Sequence, residues 1–255
     1  MISEKFFTGI KIRILKTLKK NRGYFYVSGI KMFLDYLDPI DRELIITQKY
    51  EETEINILKK LYNSNAFEYF LDIGANCGYY SIKLATEFDN LRVIAFEPNI
   101  EAFTKFNNTL KVNPKLKKRI KINNFGLSNN SGQLYMTSLE KFGYLQSGGS
   151  TVINEDEKKF IKTKIFKCEF KIGEEVLKFK NNKLGIKIDV EGHEYNVIEG
   201  LKELLKENKV ILQIEITKER FNKTNNFLNN IGYKSFDKVI GRAQWISNFY
   251  YKNFE

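Results

Sequence analysis

The feature that most constrains this chain is a rhythm that begins at Phe67, where short apolar runs start to alternate with helical patterns. The runs Tyr69–Ile73, Arg92–Phe96, Ile120–Asn124, Leu184–Ile188 and Val210–Ile214 are each five residues long. They are apolar enough to be buried on both faces, and helical patterns near 78–88, 99–112, 194–207 and 218–230 separate most of them. Repeated β-α units of this kind predict an α/β fold, a doubly wound, Rossmann-like parallel sheet covered by helices. The interval 126–183 is too long for a plain crossover. Within it Gly132–Thr137 and Lys162–Phe170 alternate like antiparallel strands around a Ser147-Gly148-Gly149-Ser150-Thr151 loop, which predicts a β insertion on the sheet edge before the fourth strand. Tyr233–Phe236 and Trp245–Tyr251, joined through Gly241, read as a closing hairpin.

Residues 1–62 read as an N-terminal helical extension, broken at Asp38-Pro39, and 63–255 as the main domain. Phe6, Phe7, Ile10, Ile14, Leu15 and Leu18 recur at helical spacing among seven cations and one anion, which describes a basic amphipathic helix over residues 1–22. Such a helix either packs on the domain or a second subunit, or lies on an anionic membrane surface. The net charge is +11, yet it comes from 35 Lys and only 7 Arg spread over the chain. Phosphate and base recognition favours the bidentate Arg fork, so the charge argues for a solvated surface and against a nucleic-acid partner. At 255 residues a core forms without staples. Cys77 and Cys168 lie 91 residues apart with no metal-type spacing, so both are expected as reduced thiols in a cytoplasmic protein. No run reaches the ~18 apolar residues of a membrane span.

Chemistry concentrates at the ends of the expected strands. Phe70-Leu71-Asp72-Ile73-Gly74-Ala75-Asn76-Cys77-Gly78-Tyr79-Tyr80 runs from a buried strand through a glycine turn into a helix. Gly74 and Gly78 let the backbone bend and approach a ligand, and the D-x-G-x-x-x-G spacing departs from the dinucleotide fingerprint. Asp72 fits a ligand bearing an ammonium group or a positive sulfur. Glu97, 23 residues after Gly74, ends the second strand where such folds hold ribose hydroxyls. Asn124-Phe125-Gly126 ends the third, either flanking an adenine or forming a plain turn. The fourth ends Asp189-Val190-Glu191-Gly192-His193-Glu194 and the fifth ends at Glu215. If these strands are neighbours, Asp189 and Glu215 stand about 5–7 Å apart. Carboxylates that close either raise one pKa, giving a general base, or share a divalent cation. His193, the only histidine, is a further candidate base, and Glu191 and Glu194 can instead serve the following helix.

Phe70–Tyr80, Ala95–Asn99, Asn123–Ser128, Gly148-Gly149-Ser150 and Ile186–Glu194 together resemble the FkbM family of S-adenosylmethionine-dependent methyltransferases, over about residues 50 to 233. The resemblance implies a seven-stranded methyltransferase sheet, S-adenosylmethionine as donor, and transfer to oxygen, commonly a hydroxyl of a sugar or polyketide. It implies Asp72, Gly74, Asn76 and Gly78 on the methionine side of the donor, Glu97 at its ribose, and Asp189 beside the transferred methyl. The catalytic set expected is then Asp189, Glu191, His193 and Glu215, with a glycan or small-molecule acceptor. One departure is Lys171-Ile172-Gly173, where family members often carry Thr-Leu-Asp. Methylation of RNA, and nucleoside binding without catalysis, are the competing readings.

Overall fold

The computed structural model describes residues 9, 10, 12–14, 17, 21–141, 144–161 and 163–255, with the side chains of 139–148 outside the description. The basic helix expected over residues 1–22 therefore lies largely outside the described residues. Within it Ile12 packs against the core, and Ile10 and Ile14 are exposed. Among the described residues no helix is long and apolar enough to cross a membrane.

The first element is a hairpin, β1 (Arg22–Val27) and β2 (Ile30–Asp35), where the sequence reading expected helix. Tyr24-Phe25-Tyr26-Val27 is a run of aromatic and β-branched residues that favours a pleated surface. Ser28 and Gly29 both take left-handed dihedrals (φ 48° and 82°), as a two-residue hairpin turn with the right twist requires. Phe25, Val27, Met32 and Leu34 bury against the main domain. The helix Pro39–Thr47 follows, capped by Asp38, whose side chain accepts from the Ile40 and Asp41 amides. A second helix spans Glu52–Asn65. The segment is pinned by a buried charge cluster in which Lys105 Nζ lies 2.7 Å from Asp41 and 3.4 Å from Asp38.

The central sheet comprises β3 (Tyr69–Ile73), β4 (Arg92–Phe96), β5 (Ile120–Asn123), β10 (Lys183–Ile188), β11 (Lys209–Thr217), β12 (Lys234–Ile240) and β13 (Ile246–Lys252). Their order is β12-β13-β11-β10-β3-β4-β5. The first five in chain order are parallel, and β13 inserts antiparallel between β11 and β12, so the closing hairpin is part of the sheet. The chain winds outward from β3 through β4 to β5, then returns to β10 and winds the other way. That reversal opens a crevice at the carboxyl ends of β3 and β10, where doubly wound sheets take their ligands. One core cluster holds helices 79–87 and 100–111 with residues 25–58, and another holds the helices of 194–207 and 218–230.

The insertion consists of β6 (Gly126–Ser128), β7 (Gly132–Lys141), β8 (Tyr144–Ile153) and β9 (Ile165–Ile172), in the order β6-β9-β7-β8. Two expectations change here. The 147–151 segment is strand and not loop, because Ser138 and Thr137 pair with Ser150 and Thr151 and satisfy its backbone. The insertion also does more than extend an edge. Met136, Cys168 and Phe170 form a small apolar cluster of their own, and Cys168 Sγ reaches the Pro98 carbonyl at 3.2 Å, so the second sheet leans over the strand ends.

Candidate active site

The crevice is a cavity of about 990 Å³, counting its open mouth, and its lining includes Gly74, Asn76, Glu97, Asp189, Glu191 and Glu215. Gly74 leaves β3 at φ 83°, and a Cβ there would lie 1.8 Å from the Asp189 carbonyl oxygen, so the donor turn and the end of β10 touch backbone to backbone. The amides of Gly74 and Ala75 both donate to the Phe96 carbonyl at 3.0 Å, which binds the turn to the end of β4. Asn76 is also left-handed, and its Oδ1 is buried without a hydrogen-bond partner.

Glu97 is buried and spans the crevice floor. Its Oε2 accepts from the Asn76 amide and its Oε1 from the Asn99 amide, each at 2.8 Å. Burial drives its pKa up to about 7, against the pull of those two amides. The side chain is thus fixed by backbone on both oxygens and retains lone pairs to accept ligand hydroxyls.

Four other expected donor residues do not line the cavity. Asp72 is fully buried behind it, accepting from the Ser81 amide at 3.2 Å and the Ser81 hydroxyl at 2.5 Å, where it caps the first turn of helix 79–87. The start of helix 79–87 decides this, since the Ser81 amide and hydroxyl both bind Asp72 Oδ2 and hold the side chain against the helix. Gly78 is the left-handed start of the same helix, packed under the Phe106 ring. Asn124 donates to the Glu97 and Pro98 carbonyls, and Phe125 packs on Phe96 with ring centres 5.6 Å apart. Gly126 and Leu127, the next two residues, reach the cavity instead.

The parallel pairing of β10 and β11 brings Asp189 and Glu215 side by side, and carboxylate oxygens of Asp189, Glu191 and Glu215 lie within 4.8 Å of one another. Lys187 Nζ donates to Asp189 Oδ2 at 2.9 Å and supplies the cluster with a cation from the protein itself. The Asp189 charge, then burial, raises Glu215 to about 9, and burial, then Asp189, raises Glu191 to about 8. Both folded values exceed the unfolded value of about 4.3, so the folded chain holds the extra protons and its stability falls as pH rises through about 4 to 9. Glu215→Gln is therefore expected to flatten the decline of Tm between pH 6 and 9. Thermal melts in matched buffers check this, and an unchanged slope contradicts the assignment.

His193 lines the cavity but is ill suited to take a proton. Burial lowers its pKa to about 4, its Nε2 lies 2.9 Å from Ser128 Oγ, and its ring packs edge-on against Phe170. Glu194 turns back to accept from the Gly192 amide at 2.7 Å, as an acid at a helix start does.

With this geometry in place, residues 72–235, more than half the chain, match the family model described as the methyltransferase FkbM domain. The chain belongs to the FkbM methyltransferase family. The FkbM methyltransferase of Methylobacillus flagellatus KT superimposes with a TM-score of 0.52 at 17% identity, over 72% of this chain and 43% of that one. This FkbM domain thus spans less than half of that relative's length, and the likeness is one of fold. The precorrin-6y C5,15-methyltransferase of Geobacter metallireducens GS-15 aligns with a TM-score of 0.47 at 13% identity, over 81% of this chain and 90% of that one. TYW2 of M. jannaschii, solved in complex with AdoMet, gives 0.49 at 12% identity over 92% and 87%. No curated protein sequence matches this chain.

The FkbM fold also brings in residues that the sequence reading missed. Tyr50, Glu51, Tyr80 and Lys187 join the acidic end of the cavity, while Met136, Ser150, Val152 and Phe170 reach it from the insertion. Tyr80 OH donates to Glu51 Oε2 at 2.6 Å. Of these, Lys187 carried a readable signal, a lone charge inside the apolar run of a parallel strand. Tyr50, Glu51 and Glu215 are shared with an open groove on the acidic side, walled by residues 43–54 and 239–248. Its wall carries Glu43, Glu51, Glu52, Glu54 and Glu215 against Lys49 and Arg242, and Arg242 grips Glu43 with both guanidinium nitrogens.

Proposed function

We propose that this FkbM-family chain transfers the methyl group of S-adenosylmethionine to an oxygen acceptor, a hydroxyl of a sugar, polysaccharide or glycolipid. The observation that carries the reading is that the carboxylate cluster of Asp189, Glu191 and Glu215 lines the same cavity as a buried, backbone-held Glu97. The residues fit the donor. Asn76 Oδ1 is a buried acceptor in want of a donor, Glu97 keeps lone pairs for ribose hydroxyls, and the missing side chain of Gly74 lets the donor turn rest on the Asp189 carbonyl. The donor supplies an electrophilic methyl, so the protein's tasks are alignment and removal of the acceptor's proton. A hydroxyl is a poor nucleophile until that proton leaves. Asp189 is the best-placed base, being a strand-end carboxylate in the cavity that is held by Lys187 and has Glu191 and Glu215 beside it.

The acceptor class follows from charge. On a chain of net charge +11, the groove that shares Tyr50, Glu51 and Glu215 with the cavity carries five glutamates and only two cations. Both cations are already paired, Arg242 with Glu43 and Lys49 with Glu52, so a phosphodiester finds no counter-charge on this wall, whereas sugar hydroxyls find carboxyl partners, which favours a glycan over RNA.

The test is calorimetric titration with S-adenosylhomocysteine, followed by a labelled-methyl screen of glycan and RNA acceptors. Wild type is expected to bind in the micromolar range, about −8 kcal/mol, and Glu97→Ala tenfold or more weaker. A well-folded wild type that fails to bind, or label entering RNA but no glycan, would overturn the reading.

A further inference from the structure

Lys187 is a buried cation with no packing reason to be one. It stands in β10 between Ile186 and Ile188, is 3% exposed, and is paired in register with Asp72 on β3 and Gln213 on β11. An ammonium group in such a place costs several kcal/mol unless it is paired, and a strand that needed only to be buried would carry a Val or Leu there. Lys187 and Asp189 are two apart on the strand and so share a face. The ammonium donates to Asp189 Oδ2 at 2.9 Å and lies 4.7 Å from the centre of the Tyr80 ring, whose hydroxyl is held by Glu51. Asp72 and Glu51 add to the negative charge around the ammonium, but Asp72 Oδ2 takes both Ser81 bonds and Glu51 Oε2 takes the Tyr80 hydroxyl. The ammonium is thus braced from behind and engages one oxygen of one residue in the cavity.

We infer that Lys187 is the positioning residue of the reaction: by holding Asp189 through Oδ2 it leaves Oδ1 aimed at the transferred methyl and the acceptor's proton. This rests on the reading of Asp189 as the base beside the donor's methyl. The bridge turns a carboxylate with free rotation at the end of a strand into one with a set direction, and Tyr80 and Glu51 set the direction of the bridge.

The test needs no acceptor. Sinefungin, a donor analogue with an ammonium-bearing carbon in place of the methylsulfonium, probes for a carboxylate at the methyl position, and S-adenosylhomocysteine lacks that group. The readout is the ratio of their dissociation constants. Wild type is expected to prefer sinefungin about tenfold, and Asp189→Asn to lose the preference, since a tenfold ratio is about 1.4 kcal/mol, the size of one charge-assisted hydrogen bond. Lys187→Met is expected to lose it likewise while binding S-adenosylhomocysteine as wild type does. A merely charge-balancing lysine predicts the opposite sign, because its removal relieves repulsion of the ligand's ammonium and the preference grows. Lys187→Ala provides the second variant, in which added ethylammonium should refill the space and restore the ratio. A preference that rises or holds in Lys187→Met, or that is absent in wild type, overturns the inference. Failure of wild type to bind S-adenosylhomocysteine instead overturns the donor reading, and this inference with it.

Discussion

Asp189→Asn is expected to lower kcat by about 10²–10⁴, the usual contribution of a positioned base, while leaving the affinity for S-adenosylhomocysteine within a few-fold of wild type. The substitution preserves shape and removes the proton acceptor. The same experiment carries a pH signature. Glu191 and Glu215, held near 8 and 9, shed their protons above neutrality and become able to accept the acceptor's proton themselves, so the wild-type rate is expected to climb from pH 7 to 9. Steady-state kinetics with the acceptor found by the labelled-methyl screen would check both. Retention of more than a tenth of the wild-type rate by Asp189→Asn would move the base elsewhere in the cluster.

The second large effect is on folding. Gly74→Ala places a methyl group 1.8 Å from the Asp189 carbonyl oxygen and 2.8 Å from its carbon, at a φ of 83°. Backbone cannot rotate away as a side chain can. Left-handed strain of about 1–2 kcal/mol and an over-packing cost of about 1–3 kcal/mol add to a loss of about 2–5 kcal/mol. For a chain of this size that lowers Tm by about 5–15 °C. Gly232→Ala is the internal control, because it shares the positive φ, 90°, but has nothing within 4 Å. It is expected to cost only the strain, about 1–2 kcal/mol. Equal losses at the two positions would show that the contact between the donor turn and the end of β10 bears no energy.

The sheet was readable because its strands are buried on both faces. Tyr69–Ile73 and Arg92–Phe96 are mostly apolar runs, interrupted by Asp72 and opened by Arg92, and they appear residue for residue as β3 and β4. Glu97, Asp189 and Glu215 were readable for a related reason, since in a parallel sheet an acid directly after an apolar run must stand at the carboxyl end. Asp72 was expected beside the donor and lies outside the cavity lining, because adjacency to the glycine turn does not reveal that Ser81 binds its side chain. The β1–β2 hairpin was missed because its turn, Ser28-Gly29, is a weak signal beside the helical patterns that flank it. Nothing local marks Tyr50 or Glu51 as site residues. Their place comes from the packing of residues 25–58 onto the far side of the same core.

The Arg242–Glu43 grip joins positions 199 apart in sequence, and the walls of the groove beside it come from residues 43–54 and 239–248. The donor turn, by contrast, is made from residues 72–99, close together in the chain. Pairings of long sequence separation bear the largest loop-closure cost and form late. During synthesis the donor turn and one wall of the groove would therefore emerge early, and both would wait for later residues, the turn for the Asp189 carbonyl it rests on and the groove for Arg242.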